Sequence, residues 1–242
     1  MKTLGKLAVF GAALAVSASI ASATPITLGS YSSTGSAIAG DANTALTLTG
    51  VDLTGTIPTG LGTLTAPASS ATYTLSPASV WAGPLANSTW VGESATAGPG
   101  GTNPPYGYYE FTSTFSAAAG IYGGSLDVLA DDTTEVLLNG NLLIPFGALG
   151  GDAHCADSAP TCLVDDSVAL SGVNLLASNT LTFIVEQAGS EAPGLDPSGV
   201  DFDATLTSTP EPSSLILLGT GLVGAAGAFF RRRQSNQSQM AV

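Results

Sequence analysis

Lysine and arginine are absent from almost the whole length of this chain of 242 residues. The five basic residues stand at its two ends: Lys2, Lys6, Arg231, Arg232 and Arg233. All 18 Asp and Glu residues lie between residues 24 and 230, so this stretch has a formal charge of −18 with its one His neutral. Because nucleic-acid binding depends on Lys and Arg that neutralise phosphates, nucleic acid is excluded as a partner. The charge pattern instead fits cations, neutral glycans or simple solubility.

Histidine and cysteine are also scarce, with one His and two Cys in the whole chain. A Ser-His-Asp triad needs a His held between its partners, and the sequence around His154 gives no sign of such contacts. The chain also lacks a G-x-S-x-G turn and an H-E-x-x-H helix. Glycoside hydrolysis needs only two carboxylates, so a secreted carbohydrate-active hydrolase that uses an Asp/Glu pair stays open as the alternative to a non-enzymatic protein.

The first 23 residues predict a secretory signal peptide. Lys2 and Lys6 form a positive first region, and the apolar core that follows is too short to span a membrane. A cleavage site of the A-x-A type ends the segment, so that signal peptidase would cut beside Ala21, Ser22, Ala23 and Thr24. The sequence therefore predicts an exported protein.

The two cysteines, Cys155 and Cys162, bracket a short polar loop. Export places them in an oxidising compartment, where a disulfide is stable. His154 beside Cys155 also permits a zinc site with both thiolates. Export favours the disulfide, which is the prediction we make.

An uncharged apolar segment covers Ser213–Phe230 near the end of the chain. Eighteen residues in a helix reach roughly 27 Å, close to the ~30 Å hydrocarbon thickness of a bilayer. The three arginines that follow would stop transfer and stay cytoplasmic. Pro210 and Pro212 keep the preceding junction extended, because proline cannot continue a helix backwards from this point. The sequence predicts one transmembrane helix over 213–230.

The order of Pro-Glu-Pro, apolar helix and arginine cluster resembles the PEP-CTERM sorting signal, from Thr209 onwards. The resemblance gives sorting roles to Pro210, Glu211, Pro212, Arg231, Arg232 and Arg233. It implies recognition by an exosortase, a membrane protease, and transient anchoring in the inner membrane. It also implies delivery to the cell surface or extracellular matrix of a bacterium that makes exopolysaccharide. Residues 234–242 form a short polar tail, and a permanently anchored protein with an uncut tail is the other interpretation.

Residues 24–208 show the alternation of apolar and polar side chains that is typical of strands. It is clearest over 109–115, 125–130, 181–186 and 200–206. Asn139-Gly140 stands between two apolar runs and predicts a tight type I′ hairpin. Short strands separated by Gly, Pro, Asn and Ser clusters indicate an all-β protein, with one secreted antiparallel sandwich.

A second resemblance covers roughly Trp81 to Thr207. Trp90, a Gly/Pro-rich loop, Tyr109-Glu110-Phe111 and then "LDVLADDTTEVLLNGNLL" follow one another as in galactose-binding-like jelly rolls. In those modules an acidic pair precedes a strand that ends in Asn-Gly. The resemblance implies a jelly-roll-like sandwich, with glycan binding as one role open to it.

Adjacent acids before the predicted hairpin are the main candidate site. Asp131 and Asp132, with Asp127 and Glu135 nearby, offer the hard oxygen ligands that Ca²⁺ prefers. Asp is also common at turns, where it bonds its own backbone, so both interpretations stay open. No cofactor other than calcium is predicted.

Three aromatic residues are candidates for glycan contact, because amphipathic rings suit the faces of sugars: Trp81, Trp90 and Tyr109. Packing in the core explains the same residues equally well. The sequence as a whole predicts a non-enzymatic surface or matrix protein with a structural, adhesive or glycan-binding role in exopolysaccharide.

Overall fold

The computed structural model of the protein describes residues 24–31, 38–53, 59–150, 155–189, 195–209 and 218–229. Twelve strands make up the first five of these ranges: β1 Ile26–Gly29, β2 Ala42–Asn43, β3 Thr47–Leu53, β4 Thr72–Thr74, β5 Val91–Gly92, β6 Gly107–Ser116, β7 Gly120–Asp131, β8 Thr133–Leu138, β9 Asn141–Ile144, β10 Asp166–Leu175, β11 Ser178–Gln187 and β12 Gly199–Ser208. Helix α1 covers residues 218–229.

The strands form two antiparallel sheets. One has the order β10-β7-β12-β5-β4-β2, with β1 also paired to β12, and the other has the order β3-β6-β11-β8-β9. From β6 onwards the chain crosses repeatedly from one sheet to the other, as in a jelly roll. The predicted all-β, antiparallel, jelly-roll-like sandwich is confirmed.

The core lies between the two sheets, where the alternating apolar side chains meet. Phe183 on β11 and Phe202 on β12 are fully buried, and their ring centroids are 4.6 Å apart across the layers. Leu126 and Val128 on β7 face the same interior. Full burial of side chains of this kind contributes about 1.5–3 kcal/mol each, so the interlayer contact accounts for much of the stability of the sandwich.

The predicted hairpin is present between β8 and β9. Asn139 and Gly140 form a two-residue turn and have φ angles of 51° and 78°. Two successive positive φ angles are the signature of a type I′ turn, which Asn-Gly accepts with little strain. This local prediction is confirmed.

The register of β7 and β12 defines two ends of the sandwich. Asp131 pairs with Gly199 at one end, and Tyr122 pairs with Ser208 at the other. Nine residues of extended strand separate these levels by about 30 Å. We call the first the acid end and the second the tail end. At the tail end, the N–H and the hydroxyl of Thr209 both donate to the carbonyl of Ile121, at 2.8 and 3.0 Å.

Helix α1 lies within the segment predicted to span a membrane. Among the described residues, no helix has the length and apolar character that a crossing would require. Several predictions concern residues outside the described ranges: the signal peptide with Ala21 and Ala23, residues 213–217 and 230 of the apolar segment, the polar tail 234–242, and the sorting residues Pro210, Glu211, Pro212, Arg231, Arg232 and Arg233.

Candidate functional site: a buried acid pair

Asp131 and Asp132 lie where the chain leaves one sheet for the other. Asp131 ends β7 in the first sheet, and β8 begins in the second sheet at Thr133. Both aspartates have 0% of their surface exposed. We call these two residues the acid pair. Complete burial of two adjacent carboxyl groups is unusual, because each must lose its hydration.

Each carboxyl of the acid pair has one oxygen bonded and one oxygen without a partner outside the pair. The indole Nε1 of Trp81 donates to Asp131 Oδ2, and the N–H of Ala188 donates to Asp132 Oδ2 at 2.5 Å. Oδ1 of Asp131 and Oδ1 of Asp132 are buried and accept no hydrogen bond from any other described residue. The two carboxyls interact with each other, and this contact adds to the rise that burial causes in the pKa of Asp131 and opposes the rise in that of Asp132. An unbonded buried carboxylate oxygen costs free energy, so both atoms require a proton or a cation.

A nearby carboxyl shows that this fold can satisfy a buried acid. Asp201 on β12 is also fully buried. Ser30 Oγ donates to its Oδ1 at 2.6 Å, and the N–H of Leu85 donates to its Oδ2 at 2.9 Å. Both oxygens of Asp201 are therefore bonded by the protein, in contrast to the acid pair. Glu93 Oε2 and Asp203 Oδ1 are also buried without a partner, but the acid pair places two such carboxyls on consecutive residues.

The surroundings of the acid pair are electrostatically negative. The described ranges contain no Lys and no Arg, so no basic side chain in them can neutralise these carboxyls. Burial first, and then the charge of Asp132, raise the pKa of Asp131 well above its usual range. Burial, with a contribution from Asp196, raises the pKa of Asp132 to about 8. Without a cation the pair is held protonated around neutral pH.

A neighbouring glutamate adds to this negative potential. Burial raises the pKa of Glu186 on β11, although the hydroxyl of Tyr108 donates to its Oε1 at 3.0 Å and opposes the shift. Glu186 also raises the pKa of Asp132 through its charge. Asp196 and Glu186 are therefore the acids that act on the pair, and both are distant from it in the sequence.

A disulfide-closed loop covers the acid pair. Cys155 and Cys162 are bonded, with their Cα atoms 5.4 Å apart, which confirms the predicted disulfide. Their sulfurs and a carboxylate oxygen of Asp131 lie within 4.8 Å of one another. The N–H of Ala156 donates to the carbonyl of Asp132 at 3.1 Å. Sulfurs joined in a disulfide are not thiolate ligands, so zinc does not fit here, and His154 lies outside the described residues.

The structure does not bring Asp127 and Glu135 to the acid pair. Asp127 stands four residues before Asp131 on β7, about 13 Å away along the strand. It pairs there with Asp203 of β12. Glu135 lies in β8, opposite Ile184. Sequence proximity suggested these two residues, whereas Asp196 and Glu186 reach the pair only through the tertiary fold.

The three aromatic candidates for glycan contact belong to the interior, which corrects that prediction. Trp81, Trp90 and Tyr109 are 4%, 0% and 2% exposed. The rings of Trp81 and Trp90 stack with centroids 4.2 Å apart, and Trp90 Nε1 donates to the carbonyl of Ala82 at 3.0 Å. With their faces packed against protein, these rings cannot stack on a sugar. These large rings lie in the interior because the burial of their apolar surface stabilises the fold.

We expect Tyr109→Phe to reduce stability slightly and to leave glycan retention unchanged. The hydroxyl of Tyr109 donates to the carbonyl of Pro105 at 2.7 Å and thereby fixes the Gly/Pro-rich loop. Its loss should lower the free energy of unfolding by about 1 kcal/mol. Denaturant unfolding and a polysaccharide pull-down measure the two effects. A loss of retention at unchanged stability would instead make Tyr109 a ligand contact.

Comparison with known families confirms the sorting signal. The PEP-CTERM protein-sorting motif matches residues 208–233, and it marks the protein for export. A comparison with curated proteins found no match.

Comparison with solved structures gives distant likenesses in sugar-related proteins. A GH26-CBM35 β-(1,4)-mannanase from Podospora anserina has 21% identity and a TM-score of 0.32, over 78% of this chain and 28% of that one. A β-glucosidase from Kluyveromyces marxianus has 14% identity and a TM-score of 0.29, over 79% of this chain and 19% of that one. A family 35 carbohydrate binding module from Clostridium thermocellum has 16% identity and a TM-score of 0.29, over 77% of this chain and 100% of that one. The chain thus spans less than a third of either enzyme, and at these TM-scores the likenesses do not bear on function.

Proposed function

We propose that this exported protein is a non-enzymatic sandwich of the cell surface or extracellular matrix that holds Ca²⁺ at the acid pair. Its role is structural, adhesive or glycan-binding within exopolysaccharide. The observation that carries the calcium assignment is the pair of fully buried, unbonded oxygens, Asp131 Oδ1 and Asp132 Oδ1.

A calcium ion suits the chemistry of this site. Ca²⁺ binds oxygen ligands, carboxylates above all, and tolerates irregular geometry. Asp131 and Asp132 would hold the ion, and Asp196 is close enough to raise the pKa of both through its charge. The ion would supply the positive charge that the described residues lack. The same acids that repel one another without it would then bind it.

A non-enzymatic role is supported by the burial of the carboxyl groups. Glycoside hydrolysis requires an acid and a base on either side of a glycosidic bond. Asp131, Asp132 and Asp196 have no exposed surface in this fold, so a sugar chain cannot reach them. A cation that stabilises the fold can bind these carboxyls without a path for a sugar chain.

The sorting motif supports a route to the surface. In the proposed route, signal peptidase removes residues 1–23, and the apolar segment 213–230 holds the protein transiently in the inner membrane. An exosortase-type protease then recognises Pro210, Glu211 and Pro212 and releases the protein to the surface or the medium. Intact mass of the membrane, surface and medium fractions would locate both mature ends, and an uncut tail would favour permanent anchoring.

We expect the exported protein to take up Ca²⁺ and to be retained on exopolysaccharide only when Ca²⁺ is present. Calorimetric titration measures the uptake, and co-sedimentation with purified polysaccharide in millimolar Ca²⁺ or in EDTA measures the retention. Absence of uptake at millimolar Ca²⁺ would contradict the calcium site. Equal retention in EDTA would separate glycan binding from the ion, and release of reducing sugars would favour the hydrolase.

A further inference from the structure

In the part of the chain that the structure describes, the tail end of the sandwich has no charged side chain. The described segments that form it contain no Asp, Glu, Lys, Arg or His: residues 24–31, 113–125, 137–142, 169–182 and 204–209. Because the protein has 18 Asp and Glu residues, this is a markedly uneven distribution of charge along the strands. The described acids lie at the middle of the strands or at the acid end.

The distance from the tail end to the nearest acids on its larger sheet is long in electrostatic terms. Asp203 on β12 stands five residues before Ser208 and pairs with Asp127 of β7. Five residues of strand measure about 17 Å. This is roughly two Debye lengths at physiological ionic strength, so these carboxylates are largely screened from a surface that touches the tail end.

Large aliphatic side chains project from the turns of the tail end. Ile121, Leu142 and Leu176 are 43%, 56% and 52% exposed, and they stand at the start of β7, at the start of β9 and between β10 and β11. A groove of about 490 Å³ lies beside Ile121, and its walls also include Ile26 and Thr209. Ile121 and Leu176 thus make the tail end apolar at its outermost points, and Leu142 stands about 13 Å further in, at the level of Thr182.

The covalent structure keeps the tail end close to the membrane while the tail is uncut. Thr209 is fixed to Ile121 by two hydrogen bonds, and the predicted membrane segment begins at Ser213. Four residues of fully extended chain span at most about 14 Å. The sandwich therefore cannot move further than this from the bilayer before the tail is cut.

We infer that the tail end rests on the outer surface of the bilayer and that its partner there is the lipid interface. This inference rests on the proposed membrane anchorage of the tail. Exposed aliphatic side chains gain free energy at the boundary between headgroups and acyl chains. The described residues of this end carry no carboxylate, so they do not repel anionic headgroups. Glu211 follows in the sequence, in the junction before the membrane segment. The acid end then faces away from the membrane, and the protease meets Pro210 at the level of the headgroups.

Fluorescence quenching by lipid tests this arrangement. The full-length, uncut protein is reconstituted into phosphatidylethanolamine–phosphatidylglycerol vesicles, with single labels at Leu142→Cys, Leu176→Cys or Val164→Cys. Val164 is the matched control, because it is 57% exposed and lies next to the disulfide loop at the acid end. With a headgroup quencher, we expect at least twofold quenching at residues 142 and 176 and none at residue 164.

Charge variants give a second readout. Leu176→Asp should reduce the quenching at residue 142 by at least twofold, whereas Val164→Asp should leave it unchanged. Equal quenching at residue 164 and at residues 142 and 176 would overturn the inference. So would a difference in quenching between the two ends that arises only when the protease is added. Protein that does not float with the vesicles would contradict the membrane anchorage itself, and with it this inference.

Discussion

Asp132→Asn should reduce the calcium-induced rise in melting temperature by about half or more and weaken the dependence of stability on pH. The pKa of this carboxyl is about 8 in the folded protein, against an ordinary value of 3.8. Between these values the unfolded chain has lost the proton while the folded protein keeps it. The free energy of unfolding of the metal-free protein therefore falls as pH rises from about 4 to about 8, by up to about 1.4 kcal/mol per pH unit for one group.

Calcium opposes this fall in stability with rising pH. It replaces the proton as the positive charge that neutralises the carboxyls. The stabilisation by Ca²⁺ should therefore grow as pH rises towards 8. At a free concentration one hundred times the dissociation constant, it amounts to about 2.7 kcal/mol. Asparagine keeps the shape and one oxygen of Asp132 but removes the charge, so the variant should lose at least tenfold in calcium affinity.

Thermal unfolding at pH 5 and pH 8, with Ca²⁺ or with EDTA, measures both effects. Asp127→Asn is the matched control, because it removes one carboxylate from β7, four residues before Asp131. The control should keep the full response to calcium. An unchanged response in Asp132→Asn, or an equal loss in Asp127→Asn, would argue against an ion at the acid pair.

Removal of the disulfide should destabilise the protein and weaken calcium binding together. Cys155→Ser with Cys162→Ser opens a short loop, which costs about 2–3 kcal/mol on the chain-entropy estimate. The loop covers the acid pair through the Ala156 N–H bond to Asp132 and the Ala130 N–H bond to Thr161, both at 3.1 Å. A looser loop admits water to the carboxyls, which lowers the pKa of both and reduces the gain from binding a cation.

The two effects can be separated by experiment. Denaturant unfolding in EDTA gives the stability, and calorimetry well below the melting temperature gives the calcium affinity of the folded variant. Leu163→Ser is the control, because this residue directly follows Cys162, is 60% exposed, and can be replaced with the disulfide intact. A loss of stability with unchanged calcium affinity would show that the disulfide stabilises the fold without contributing to the calcium site.

Features that depend on neighbouring residues were predictable from the sequence. Alternation such as that of 181–186 indicates a half-buried strand whatever the rest of the chain does. Asn139-Gly140 selects its turn through its own φ preferences, and the closely spaced Cys155 and Cys162 can pair without knowledge of the fold. The sorting motif is equally local, because it is a linear segment of the sequence, over residues 208–233.

Features that depend on distant residues were not predictable in this way. Sequence proximity placed Asp127 and Glu135 with the acid pair, but the pleat and the change of sheet carry them away from it. Asp196 and Glu186 take their place, although more than fifty residues separate them from Asp132. The sequence also could not decide whether the aromatic rings are buried or exposed, because an amphipathic ring suits both positions. This applies to Trp81, Trp90 and Tyr109.

The sequence by itself determined that the protein is exported, built of antiparallel strands, closed by a local disulfide and ended by a sorting signal. These properties follow from local preferences and from linear recognition. Only the tertiary structure decided that two carboxyls are buried side by side, that the aromatic rings are internal, and that the described residues around Thr209 form an end without charged side chains. These properties depend on which strands pair and in which register, and that choice is made by the packing of the whole core.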